Sequence, residues 1–179
     1  GNDDKFYVTD HHHLARAVWD MAHRKNAAGV TAGDARVVVE VVANWRVLKD
    51  YNFWKAMHDN AWVYLFDPTG GGPMQPAKLP AHVKDLRNDP YRGLAWYVRT
   101  HFGYEKGPAD FAEFQWAQFF RNRMILDNRL LKNQIQDEDI LLSKMKDEER
   151  QAIVEAAIHL ATSPEAAGLP GYSGHGSRG

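Results

Sequence analysis

Apolar side chains at Leu14, Ala17, Val18 and Met21 recur at i, i+3, i+4 and i+7. That spacing puts them on one stripe and predicts an amphipathic helix from about residue 11 to residue 24. Residues 6–9, just ahead of it, read as a short β-rich run. Residues 36–43, Arg-Val-Val-Val-Glu-Val-Val-Ala, are β-branched and nearly continuous, the pattern of a central strand covered on both faces. Residues 50–60 read as a helix carrying Phe53, Trp54, Met57 and the following Ala61 on one side, and residues 62–66 as a third strand.

Beyond this point the pattern turns helical. Asp89-Pro90 supplies a capping carboxylate and a proline at the first helical position, opening a helix through about residue 101. Asp110 and Glu113 have capping-box spacing and precede an aromatic run that ends at Phe120. Residues 138–146 and 147–162 read as consecutive helices, the second with Ile153, Val154, Ala157, Ile158 and Ala161 on an apolar face. The connection at residues 67–76 contains three successive glycines. No Gly-Lys-Ser/Thr follows them and no helix starts there, so it is a surface loop and not a phosphate-cradling one. This order predicts an α+β fold: a small mixed sheet with helices over residues 1–70, then a helical C-terminal part over residues 71–179 packed on that core as one structural domain.

Composition narrows the picture. With 44% hydrophobic and 12% aromatic residues the chain should be globular. A net charge of −1 offers nucleic acid no general attraction, so DNA would need a local basic patch. The absence of cysteine excludes disulfides and a catalytic thiol. No apolar run approaches the roughly 18 residues that span a membrane. The chain starts at Gly1, so an upstream segment is expected to have been removed, which leaves a signal peptide open; a cytoplasmic location is slightly favoured.

The candidate chemistry sits at the entrance of the first helix, in Asp10-His11-His12-His13 and Arg16. Asp10 is a good N-cap residue. Arg16 stands four residues from His12 and three from His13, so it can lie beside a histidine where the helix dipole already favours an anion. Imidazoles and a guanidinium together suit a phosphate. The plainer alternative is a capped turn whose histidines face water. Three adjacent histidines cannot all face one ion, and neither an HExxH pattern nor a cysteine is present, so no metal site is expected. Arg92, near the start of the second-half helix, is a further phosphate donor or else a solvated arginine. Glu113 reads as a capping residue before a general base. Phe111, Phe114, Trp116, Phe119 and Phe120 read as packing before base stacking.

The run Phe-Tyr-Val-Thr-Asp-His-His-His-Leu-Ala-Arg-Ala-Val at residues 6–18 resembles the LYLIDGHHLxRAL type of signature of the ParB-like nuclease family. VVANW, FWKAMHDNAWVYLFDPTG, LPAHVKDLRNDPYRGLAWYVR, FAEFQWAQFFR and SPEAAGLPGY extend the resemblance over nearly the whole chain. His11 stands where many relatives carry glycine. The resemblance implies a ParB/sulfiredoxin-like core, with a further strand upstream of Phe6 in relatives. It also implies a helix entrance that holds nucleotide phosphates. On that basis the expected ligand is a nucleotide, with Mg²⁺ as its companion ion, or another phosphate-bearing molecule. Asp10, His11, His12, His13, Arg16 and Arg92 would bind phosphate, and His12, His13 and Arg16 would support nuclease, phosphotransferase or hydrolase chemistry. The other reading is a non-catalytic chromosome-partition or partner-binding module. The Gly-Glu-Arg-Arg box of partition proteins is absent. Nor is there a carboxylate pair with two-metal spacing. About eight residues separate the helices at 90–101 and 110–124, too many for a helix-turn-helix.

Overall fold

The computed structural model describes residues 4–23, 33, 36–66, 71–127 and 142–174. The chain divides into two compact units, Gly1–Leu65 with Pro73–Leu86 and Phe66–Gly72 with Arg87–Gly179. The sequence readings for residues 67–70 and 138–141 fall outside the described residues.

In the first unit α1 runs from His12 to His23 and α2 from Asp50 to Asp59. The face of α2 follows the sequence: Phe53 and Met57, four apart, are buried. Around Phe53 an aromatic cluster forms. Tyr7 lies 4.8 Å from Phe53 and 5.5 Å from Trp54 between ring centroids, and Trp45 stacks on Trp62 at 4.8 Å. The chain leaves α2 through Ala61 at φ 53°, and the Trp62 amide donates to the Met57 carbonyl at 2.8 Å. Short 3₁₀ turns follow at Pro76–Lys78 and Val83–Asp85.

The expected small mixed sheet does not form: among the described residues there is no β-strand, only helices, turns and irregular chain. Residues 36–43 form no regular element, and Val38, Val39, Val41 and Val42 are exposed. β-branching favours an extended backbone. A strand also needs a backbone ladder and a covered face, which propensity does not supply. The runs at 6–9 and 62–66 contribute Tyr7 and Trp62 to the cluster around α2, so they pack by their rings without pairing as strands.

The second unit is built on α3 (Pro90–Thr100), α4 (Ala112–Asp127) and α5 (Asp147–Ala161). Asp89 caps α3, its carboxylate accepting from the amides of Tyr91 at 3.0 Å and Arg92 at 3.1 Å. Tyr91, Leu94, Ala95 and Val98 are buried at helical spacing on α3. They meet Trp116, Phe120 and Met124 of α4 and Ile153, Val154 and Ala157 of α5 in one core. Tyr104 stacks on Trp116 at 4.4 Å with planes 16° apart, and its hydroxyl donates to the Ala95 carbonyl at 2.9 Å. Trp116 in turn donates from Nε1 to the Pro170 carbonyl at 2.8 Å, tying the C-terminal segment to the core. The aromatic run that closes at Phe120 is therefore chiefly packing: Trp116 and Phe120 have no exposed surface.

Candidate functional site

The turn that opens α1 is held by its own backbone. The Asp10 carboxylate accepts from the His11 amide at 2.6 Å, and the His11 carbonyl accepts the Ala15 amide at 3.1 Å, the first bond of the helix. His11 sits at φ 58°, in the left-handed region. A non-glycine residue occupies that region at a cost, so the turn keeps a glycine-type conformation with a histidine in place. The His12 Nε2 lies 3.0 Å from the Val8 carbonyl. A carbonyl only accepts, so Nε2 carries the proton and Nδ1 is the basic nitrogen. His11 is exposed, with Nδ1 3.4 Å from an Asp10 oxygen. His13 is exposed and has no partner among the described residues.

Arg16 makes bonds away from this turn. Its Nε donates to Asp20 at 2.9 Å, and one terminal nitrogen reaches the carbonyls of Lys84 at 2.9 Å, Leu86 at 2.8 Å and, at 3.4 Å, Val83. The guanidinium fills the open carbonyls of the Val83–Asp85 turn, which a single fixed cation can do by its fork of donors. The structure thus makes Arg16 the clamp between α1 and that turn. The sequence showed only its neighbours along the helix.

Arg92 belongs to the second unit, and it is not a free surface cation. One terminal nitrogen pairs with Glu113 Oε2, while Arg99 Nη1 meets the other Glu113 oxygen at 2.7 Å. Both arginine side chains are 23% exposed and the glutamate 16%. The Arg92 guanidinium also lies over the Phe114 ring at 4.8 Å. Glu113 is therefore the anion of a buried bridge and not the reciprocal member of a capping box, since α4 begins at Ala112, after Phe111 at φ 54°. Arg99 was missed. The signal for it was present: Arg92 and Arg99 are two turns apart on one face of α3, a pairing that invites a carboxylate from the facing helix. Beside this bridge, burial pushes the Tyr104 hydroxyl well above its ordinary range, with Glu113 adding to the rise.

Among the described residues no group of three or more His, Asp or Glu side chains is placed to hold a metal ion, and no helix is long and apolar enough to cross a membrane. No curated protein matches the sequence. Among solved structures, the chain is similar to the crystal structure of protein Atu1540 from Agrobacterium tumefaciens. The identity is 32% and the TM-score 0.72, over 96% of this chain and 76% of that one. The family described as "Putative ParB-like nuclease" matches residues 1–122, which take in the α1 turn, its Arg16 clamp and the Arg92–Glu113–Arg99 bridge, and the chain belongs to that family.

Proposed function

We propose that the chain binds phosphate at the turn of residues 10–13, with a nucleotide or nucleic-acid phosphate as the ligand and cleavage or transfer of that phosphate as the reaction. The observation that carries this reading is the left-handed His11. Backbone strain held at a helix entrance, with exposed imidazoles on either side of a pinned one, is the arrangement expected of a working turn. His13 would contact the phosphate, and the basic Nδ1 of His12 would take or give a proton. Arg16 contributes as a positioning residue, through the carbonyls it holds, and through its charge. A divalent cation enters this reading with the nucleotide, since the described residues contain no cluster of protein ligands for it.

The commitment of Arg16 to three carbonyls favours a second reading, a phosphate-binding module without turnover. A thermal-shift panel decides between binding and none. Wild type and His13→Ala are heated with ATP, CTP, pyrophosphate and a short DNA duplex, with and without Mg²⁺. A ligand at a hundred times its dissociation constant adds about 2.7 kcal/mol, a readily measured shift. A shift in wild type that His13→Ala removes supports the turn, and no shift with any probe overturns it. Incubation of the stabilising ligand then separates an enzyme from a module by the appearance of cleaved product.

A further inference from the structure

A second place for a phosphate lies wholly within the helical unit and does not rest on the turn. A cleft of about 250 Å³ is lined by Arg92, Arg99, Lys106 and Glu113, with Phe111 and Phe114 among its walls. Glu113 is its single carboxylate, and it already bridges the two arginines. One carboxylate balances one guanidinium. The second guanidinium and the Lys106 ammonium are left without an anion in a site where both arginines are largely withdrawn from water. Glu105 and Asp110 lie on the same loop, but both are exposed and neither lines the cleft. Charge that is partly desolvated and uncompensated is costly, and an incoming anion relieves it.

Two further features point to a ligand. The Arg92 Nε is sealed from solvent and has no hydrogen-bond partner among the described residues, while Glu113 and the Phe114 face anchor the rest of that guanidinium. An unmatched buried donor is a cost that a rearranged, ligand-bound guanidinium would remove. Phe111, at the lip of the cleft, is a bulky residue held at φ 54°, a backbone outlier of the kind that gathers at binding sites. We propose that this cleft binds the phosphate monoester of a small molecule. An excess of two cations matches a phosphate dianion, arginine forks suit its oxygens, and the phenyl walls offer a face to a planar group such as a nucleobase. A cleft of about 250 Å³ lies at the lower end of small-molecule sites.

The test is calorimetric titration of the full chain with inorganic phosphate, a nucleoside 5′-monophosphate and the parent nucleoside. Wild type, Lys106→Ala, Arg99→Gln and His13→Ala are compared, with circular dichroism to confirm folding. Lys106 is exposed and has no partner among the described residues, so Lys106→Ala keeps the fold and decides the matter even where Arg99→Gln does not. The expected result is binding of phosphate and monophosphate but not nucleoside. The affinity of the cleft should fall roughly tenfold or more in Lys106→Ala and Arg99→Gln, as for loss of a charged hydrogen bond, whereas His13→Ala, which removes a contact of the turn alone, should still bind one phosphate per chain. Absence of phosphate binding to wild type, or binding lost in His13→Ala and kept in Lys106→Ala, overturns the proposal while leaving the turn to stand or fall by its own panel.

Discussion

Asp89 and Arg121 meet with both carboxylate oxygens 2.8 Å from one guanidinium nitrogen, although 32 residues separate them. The same carboxylate caps α3 through the amides of Tyr91 and Arg92, and the Arg121 guanidinium lies 5.0 Å from the Tyr91 ring centroid. One side chain thus starts a helix and fixes its neighbour. Asp89→Ala removes the cap, about 1 kcal/mol, and strands a buried guanidinium, so the total loss should reach ~3–5 kcal/mol. Asp89→Asn keeps a capping oxygen and should lose clearly less. Urea unfolding of the two variants checks this. Equal losses would mean that the charged pair with Arg121, and not the cap, carries the effect.

Gly171 is fixed by an approach too close for any side chain. It stands at φ 72°, and a Cβ there would lie 1.9 Å from the Glu105 carbonyl oxygen, while the Glu105 amide donates to the Gly171 carbonyl at 2.8 Å. Gly171→Ala must break this contact and should cost at least ~2 kcal/mol. Gly168→Ala is the control: φ is 97° but nothing lies within 4 Å of the added carbon, so only the backbone cost of about 1–2 kcal/mol remains. Denaturation midpoints should rank Gly171→Ala below Gly168→Ala below wild type.

Tyr104 makes the helical unit sensitive to alkali. Burial raises its folded pKa above the value near 10 of an unfolded tyrosine. The folded state therefore holds the phenolic proton after the unfolded state has lost it. The stabilisation is complete below about pH 10 and is lost as pH climbs from there toward the folded pKa. Tyr104→Phe gives up the bond to the Ala95 carbonyl, so it should be less stable at neutral pH yet lose less on going alkaline. Unfolding followed at rising pH shows whether the two curves converge. Parallel curves would remove Tyr104 as the source.

What the sequence disclosed and what it withheld divide along contact range. Asp89-Pro90 announced the start of α3, and the apolar face of α5 named Ile153, Val154 and Ala157 as core, because caps and helical faces are set by residues a turn apart. The valine run at 36–42 misled, because its strand reading needed partners that neighbouring residues cannot specify. At the candidate sites the same limit applied. The helix spacing set Arg16 near His12 and His13, but it could not show the bonds of Arg16 to the carbonyls of Lys84 and Leu86, nearly seventy residues on. Glu113 fitted a local capping box, and two arginines from α3 outcompeted it.

The turn before α1 offers the sharpest separation of conformation from chemistry. His11 pays for φ 58° with a backbone that glycine adopts freely, so His11→Gly should not destabilise the chain and should gain up to about 1 kcal/mol, the relief exceeding the extra entropy of an unfolded glycine. His11→Ala keeps the strain and should show no such gain. Ligand binding then reads the role of the ring. If the left-handed backbone shapes the phosphate site while His13 makes the contact, His11→Gly will retain the phosphate-induced thermal shift. If the His11 imidazole itself touches the ligand, that shift will shrink although the protein has become more stable. Opposite movement of stability and binding in this one variant would move the contact from His13 to His11.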